Sequence, residues 1–376
     1  MRAPPIGAAI RTVRLAGGLV LMAFVACHLA NLSLGLVSLE FADHWRPKIM
    51  SRWQTRFSDI ALYVALGSHL ALGLFALGQR RSAASLTGTD RVQLALGIAL
   101  PLLLALHVAA TRGAAALGFQ ANYAWMLVWY WKLAPVLGLQ QVLVVVAAWI
   151  HGCLGLYGWL RLRRWWLRVA GVLYPIAFAV PILALLGFVE AGKTALTRYA
   201  GDPGFAARID AQTAKFAGVT PEFLLWETRF RVAYAICLVA ALALFATHAW
   251  RRRRLRTRID YVGGPSVEDG RGLSLLEISR GHGVPHASTC SGRARCGTCR
   301  VRVLAGAGNL SPIGADEADL LHRLNAGEGG IRLACQAIVT GPHVAIERLV
   351  PAELEDEAAR RPEAVAAGDL APASVE

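Results

Sequence analysis

Six long apolar stretches run through the first two-thirds of the chain, at about residues 13–39, 60–78, 92–111, 136–160, 169–189 and 231–250. Each is close to the ~20 residues an α-helix needs to cross a bilayer core. Only a helix satisfies its own backbone in lipid without closing a barrel, so the pattern predicts six transmembrane helices. Between the fifth and sixth, residues 190–230 read as a longer external loop of mixed charge holding a short helix around 205–217. From 259 onward the pattern changes. Short β-like runs (IDYV 259–262, CRVRVL 299–304, VAIERL 344–349) alternate with Gly-rich loops, and helices are predicted over 273–281 and 316–324. The last residues, rich in Ala, Glu and Pro, read as a linker or tail. The predicted architecture is an α-helical membrane bundle over 1–255, a small α+β domain over 256–350 and a flexible tail over 351–376.

Composition agrees. The chain is 55% hydrophobic and 17% charged, too apolar for a protein whose only solvent is water. Its formal net charge of +14 would suit nucleic acid, but the arginines sit at the ends of apolar segments, which is a topogenic pattern and points to a bilayer partner instead. Arg2, Arg11 and Arg14, then Arg80, Arg81 and Arg91, then Arg161, Arg163, Arg164 and Arg168, then RRRRLRTR at 251–258 all fall on one side of six spans. That side is predicted to be cytoplasmic, against the weaker contrary pull of Arg46, Lys48, Arg52 and Arg56. Trp125, Trp129, Trp131, Trp159, Trp165, Trp166 and Trp250 near the span ends read as an interfacial belt. The N-terminal run lacks a convincing cleavage site and reads as a retained helix.

Three of the seven cysteines (Cys27, Cys153, Cys237) lie singly in apolar runs and read as packing residues. The other four are Cys290, Cys296, Cys299 and Cys335, spaced C-x5-C-x2-C-x35-C. Two thiolates per iron are what a [2Fe–2S] cluster requires, so three ligands on one loop and a distant fourth suit that cluster. Gly292 and Gly297 would let the loop backbone come close and aim N–H groups at the sulfurs. Structural zinc is the alternative, but it usually shows two C-x2-C pairs and here there is one. The segment 259–350 resembles the β-grasp [2Fe–2S] ferredoxins, and its x5 spacing is similar to the adrenodoxin-type subgroup. The resemblance implies a mixed sheet crossed by a helix, a cluster under a surface loop and one-electron transfer.

Each of the first four predicted spans carries one histidine: His28, His69, His107 and His151. Ionisable side chains at that depth are costly and usually functional, although a single one can serve as a helix–helix hydrogen bond. Neutral imidazole is a haem ligand, and a bundle core can hold haem between facing helices. Counting from the flanking arginines, His28 and His107 lie roughly 21 and 24 Å deep, and His69 and His151 roughly 16 and 15 Å. The depths predict an outer pair, His28 with His107, and an inner pair, His69 with His151. Two haems b, or one haem with two spare histidines, both satisfy this pattern. Gly17, Gly18, Gly97 and Gly138 are expected to make room for a macrocycle. His248, at the end of the sixth span beside Trp250, reads as interfacial, and His44, His282, His286, His322 and His343, outside the spans, are expected to be unremarkable.

The histidine placement resembles the cytochrome b anchors of succinate dehydrogenase and fumarate reductase. Six spans with histidines, an arginine cluster and then a C-x5-C-x2-C ferredoxin resemble the N-terminal regulatory half of bacterial membrane-anchored class III adenylate cyclases. That family's two metal-binding aspartates and catalytic core are missing from this sequence, so it reads as a regulatory fragment or a stand-alone relative. The resemblance implies a multi-pass protein of the bacterial inner membrane, exchange with quinone, a cytoplasmic output domain or redox partner, and homodimerisation. No nucleotide motif, nucleophile–base pair or protease signature is present, so no catalysis by this chain alone is predicted. A plain anchor carrying a zinc domain is the non-redox alternative.

Overall fold

The computed structural model describes residues 6–354 apart from 84, 164 and 328. Arg2, Arg164 and the predicted tail beyond 354 lie outside the described residues. The chain divides into two compact units. The first comprises the chain through Phe75, Val92–Tyr157 and Leu167–Val239; the second comprises Ala76–Arg91, Gly158–Trp166 and the chain from Ala240.

Six helices are long and apolar enough to cross a membrane, over Ala9–Leu36, Arg56–Gly78, Gly88–Ala116, Pro135–Leu160, Trp166–Gly201 and Pro203–Arg252. The protein is therefore a multi-pass membrane protein, as the apolar pattern predicts. We name the helices α1 (Ile6–Ser33), α2 (Leu39–Met50), α3 (Arg56–Gly78), α4 (Gly88–Val108), α5 (Tyr123–Val128), α6 (Pro135–Leu160), α7 (Trp166–Gly201) and α8 (Pro203–Arg253). A π-helical turn, Ala109–Gly113, follows α4 and begins two residues after His107. Such turns are frequent at functional sites.

The expected loop over 190–230 is instead helical. α7 runs on to Gly201 and α8 restarts at Pro203. The turn is set by Asp202, whose Oδ1 accepts from the N–H groups of Gly204 at 2.9 Å and Phe205 at 3.0 Å. An aspartate cap followed by proline at the first helical position is a strong helix start, which mixed charge alone conceals. Phe205, Ile209, Phe216 and Phe223 then fall on one face of α8 and are buried. They pack in a cluster with Leu39, Phe119, Tyr123 and Trp125. The Phe216 ring lies 4.8 Å from Trp125 and 5.0 Å from Phe119. Trp125 is consequently a core residue, 3% exposed, with its indole N–H donating to Thr213 Oγ1 at 3.0 Å; it does not belong to an interfacial belt.

The second unit carries a five-stranded mixed sheet, β1 (Arg256–Tyr261), β2 (Ser266–Gly270), β3 (Arg300–Ala305), β4 (Ile331–Leu333) and β5 (His343–Arg348), in the order β2-β1-β5-β3-β4. The central pair β1–β5 is parallel, with Ile259 opposite Val344, and the other pairings are antiparallel. Helix α9 (Leu275–Gly281) starts at a capping box in which Ser274 Oγ accepts from Glu277 N and the Glu277 carboxylate accepts from Ser274 N. Helix α10 (Ala315–Arg323) covers the same core. Ile259, Leu275, Ile278, Val301, Leu333, Val344 and Ile346 form the centre of that core, all fully buried. Only Arg254 and Leu255 separate α8 from β1, so the transmembrane helix leads almost directly into the sheet.

Candidate functional site

The structure brings the four membrane histidines together as two pairs. The rings of His28 and His107 have centroids 6.2 Å apart with planes crossed at 69°, and those of His69 and His151 have centroids 6.2 Å apart with planes crossed at 86°. In the second pair both rings are oriented by the backbone. His69 Nδ1 donates to the Arg14 carbonyl at 3.0 Å, and His151 Nδ1 donates to the Gln93 carbonyl at 3.1 Å. A carbonyl can only accept, so Nδ1 carries the proton in each ring and Nε2 keeps its lone pair. An anchored Nδ1–H with a free Nε2 is how metal-ligating histidines are usually held. In the first pair His28 stacks on Phe24 at 6.0 Å and 9°. His107 Nδ1 is buried and makes no hydrogen bond within ordinary limits among the described residues, although the Gln141 side chain approaches it. A cavity of about 210 Å³ adjoins His107, lined by Tyr130, Gln141, Trp129, Phe216 and Thr220 among others.

Two of the four glycines, Gly18 and Gly97, lie directly against the imidazole rings of the second pair. A Cβ on Gly97 would stand 3.0 Å from His151 Cε1, and one on Gly18 would stand 3.1 Å from His69 Cε1. Gly17 chiefly meets the Ala65 carbonyl, at 3.1 Å. Gly138 lies against the Tyr130 carbonyl, so what it permits is the close approach of α6 to the preceding turn.

The four cysteines of the C-terminal domain are all buried. Cys290, Cys296 and Cys299 sit on the loop between α9 and β3, and Cys335 follows β4. The sulfurs associate as two pairs: Cys290 with Cys296, and Cys299 with Cys335. Two thiolates for each of two irons is the donor set of a [2Fe–2S] cluster. Among the described residues no group of three or more His, Cys, Asp or Glu is arranged to hold a single metal ion, and a site built from two pairs has no need of one.

The loop reaches this shape through left-handed backbone at Ser291 (φ 52°), Gly292 (φ 85°), Ala294 (φ 52°) and Gly297 (φ 71°). At Gly297 a Cβ would also collide with Leu324. At Gly292 the space is ordinary, and the positive φ alone favours glycine. The coiled loop turns backbone N–H groups inward. The Cys290 thiol is lowered to about 5, first by its bond from Cys296 and then by the N–H groups of Arg295, Cys296 and Arg293, against the effect of burial. Each paired sulfur works the other way on its neighbour: Cys290 raises Cys296, and Cys335 raises Cys299. Thr298 Oγ1 lies 3.1 Å from Cys296 Sγ, and Gln336 Nε2 reaches both Cys335 Sγ at 3.4 Å and the Gly292 carbonyl at 3.3 Å. Gln336 thus ties the distant fourth cysteine to the loop.

His286 is not the unremarkable residue its position suggested. It is buried beneath the loop, with Nδ1 2.9 Å from Ser279 Oγ, which in turn lies 2.8 Å from the Tyr261 hydroxyl. Burial lowers its pKa to about 4, with Arg348 adding to the effect, so the ring stays neutral. The sequence signal that could have found it is its place in the cysteine loop, four residues before Cys290.

Residues 263–340 match the family model described as a 2Fe-2S iron-sulfur cluster binding domain. The 2Fe-2S ferredoxin-5 of Aquifex aeolicus is 31% identical over 68 residues, covering 18% of this chain and 71% of that protein. A component of the Na(+)-translocating NADH-quinone reductase from Shewanella denitrificans is 35% identical over 74 residues, 20% of this chain and 17% of that protein. The ferredoxin–NAD(P)(+) reductase component of naphthalene 1,2-dioxygenase/salicylate 5-hydroxylase systems from Ralstonia sp is 42% identical over 69 residues, 18% of this chain and 19% of that protein. The chain thus spans under a fifth of these two larger relatives. No solved structure matches it. The family match lies in the sheet domain and contains all four paired cysteines. Through that domain, the chain belongs to the 2Fe-2S ferredoxins.

Proposed function

We propose that this protein is a membrane-embedded redox module in which Cys290, Cys296, Cys299 and Cys335 hold a [2Fe–2S] cluster and two histidine pairs, His28–His107 and His69–His151, hold haem b. The observation that carries the haem reading is the equal 6.2 Å spacing of the two imidazole pairs. An imidazole nitrogen lies roughly 1.1 Å from its ring centre and binds a transition metal at roughly 2 Å, so two rings on opposite sides of one metal stand roughly 6.3 Å apart. The anchored Nδ1 atoms of His69 and His151 and the small residues Gly18 and Gly97 beside them fit the same group. Haem b supplies reversible one-electron chemistry when bound. The chain's own contribution is to fix the ligand tautomers, exclude water and keep the ligand helices in register.

The ferredoxin domain is placed in the cytoplasm of a bacterial cell on the arginine asymmetry. Two of the arginine-bearing connections, 76–91 and 158–166, belong to the same compact unit as that domain, which supports one shared side. A membrane quinone is the proposed exchange partner, favoured by the mostly apolar cavity beside His107 with its Gln141 and Tyr130 groups. The finer role is that of a redox-sensing regulatory region working on an adenylate cyclase output, as a dimer. The alternative is a conduit from quinone to a soluble partner.

The test is an optical and electron paramagnetic resonance spectrum of detergent-purified, dithionite-reduced protein, with haem and iron quantified. Two b-type haems per chain and a rhombic [2Fe–2S] signal are expected. One haem per chain retires one histidine pair. Bound zinc with no haem sinks the redox reading.

A further inference from the structure

The loop that carries three of the four cysteines is half-buried over Ser291–Ala294 and is contacted by the chain's own membrane connections. Within the second compact unit it lies against the connections 76–91 and 158–166. Arg161, just past the end of α6, donates from Nη2 to the carbonyl of Thr289, the residue before Cys290. Arg280, in the last turn of α9, donates to Ser288 Oγ at 2.6 Å and to the Ser85 carbonyl at 3.4 Å, so it bridges the loop to the first connection. Arg293 stands 3.9 Å from the Asp90 carboxylate, and a Cβ on Gly158 would come within 3.1 Å of its guanidinium. Residues 288–293 are therefore contacted from both connections.

Such a contact has two physical consequences. Reduction adds one negative charge to the cluster, and guanidinium groups held beside it favour that state. A contacted loop also hinders the close approach of a bulky electron carrier to the three buried sulfurs it carries.

We propose that the connections 76–91 and 158–166 form a docking surface for the cluster loop, with Arg161 and Arg280 as positioning residues, so that the chain's own membrane connections occupy the face a soluble electron carrier would use. The inference rests on the cluster reading above and is independent of haem. It goes beyond that reading by assigning the cluster's exposed face to an intrachain partner, which favours the regulatory role over the soluble conduit.

The experiment uses the full-length protein in detergent, reduced with dithionite and freed of excess reductant. It is mixed with ferricytochrome c as a bulky acceptor, and each reduced cluster that reacts loses one electron to one cytochrome. Decay of the reduced-cluster paramagnetic signal is followed, and the cluster's midpoint potential is measured separately. In R161A and in R280Q the decay is expected to be at least about fivefold faster and the midpoint potential lower. R302Q removes the same charge from strand β3, where Arg302 pairs with Glu347 on the neighbouring β5, and is expected to change neither. A cluster retained in R161A and R280Q with the rate and potential of R302Q overturns the proposal. Hydrogen exchange on the unmodified protein gives a second answer that needs no substitution: slowed amides over 161–163, beyond the end of α6, support docking, and exchange there at open-loop rates overturns it. A missing [2Fe–2S] signal in the unmodified protein is a different result, and it sinks the cluster reading itself.

Discussion

His69 and His151 face one another with ring centroids 6.2 Å apart, and each ring is held by an Nδ1–H bond to a backbone carbonyl, of Arg14 and Gln93 respectively. The partner carbonyls come from helices α1 and α4, so four helices set one pair of rings. A pair fixed in this way is expected to lose its metal group when either ring is removed. His69→Ala or His151→Ala should leave one haem per chain, held at His28–His107, as read by haem quantification and the reduced α-band. A full complement in either variant would sink the pairing.

The same pair should be sensitive to a position that supplies no ligand. A Cβ on Gly97 would press on His151 Cε1 at 3.0 Å, tighter than ordinary contact. Gly97→Leu is expected to displace the imidazole and lower haem content by one per chain. Gly73→Ala is the control, because a Cβ there meets nothing within 4 Å, and it should retain both.

In the ferredoxin domain, Arg332 and Glu317 form a buried two-pronged ion pair, Nε to Oε1 at 2.9 Å and Nη2 to Oε2 at 3.0 Å. Glu317 Oε1 also accepts from Leu333 N at 2.7 Å, two residues before Cys335. Removing one partner of a buried pair strands the other charge and costs about 3–5 kcal/mol. Glu317→Ala is therefore expected to lower the thermal midpoint of the domain. It should also reduce iron retained per chain, because the strand that delivers Cys335 loses its anchor. Unchanged melting and unchanged iron together would show that the pair does not set β4.

Asp260 gives the domain an acid-sensitive element. Its carboxyl is held well below the usual carboxylate range, first by Ser266 Oγ at 2.5 Å, then by His343 Nε2 at 2.7 Å and by Arg258 Nε at 2.9 Å. A carboxylate with a depressed folded-state pKa contributes stability that is fully present above its ordinary value, about 3.9, and is lost as pH falls below it. Unfolding measured from pH 6 downward should steepen below about pH 4, and Asp260→Asn should lower stability at neutral pH and flatten that limb, so that the two curves converge in acid. Equal slopes in both proteins would remove Asp260 from the acid response.

Much of this is open to inspection in the linear chain. Transmembrane length is a one-helix property, so the six apolar runs announce six spans without reference to any neighbour. The four-cysteine spacing carries the ferredoxin domain, because a short loop with three thiolates has few chemical uses. Depth along a helix is likewise local, and counting from the arginines pairs His28 with His107 and His69 with His151, the same partners the fold brings together. The helix over 190–230 escapes such reading because its burial is supplied by a distant segment. Phe205, Phe216 and Phe223 are a core only where Phe119 and Trp125 meet them.

Local composition, spacing and helical rise are enough to set the number of spans, the place of the ferredoxin domain, and the membrane histidines and their depths. Packing between distant segments is what makes Trp125 core, gives Gly138 its role in helix approach, buries His286 as a neutral ring under the cluster loop, and lets Arg161 and Arg280 reach that loop. These are relationships between residues up to more than a hundred positions apart, and they exist only once the chain has closed those distances.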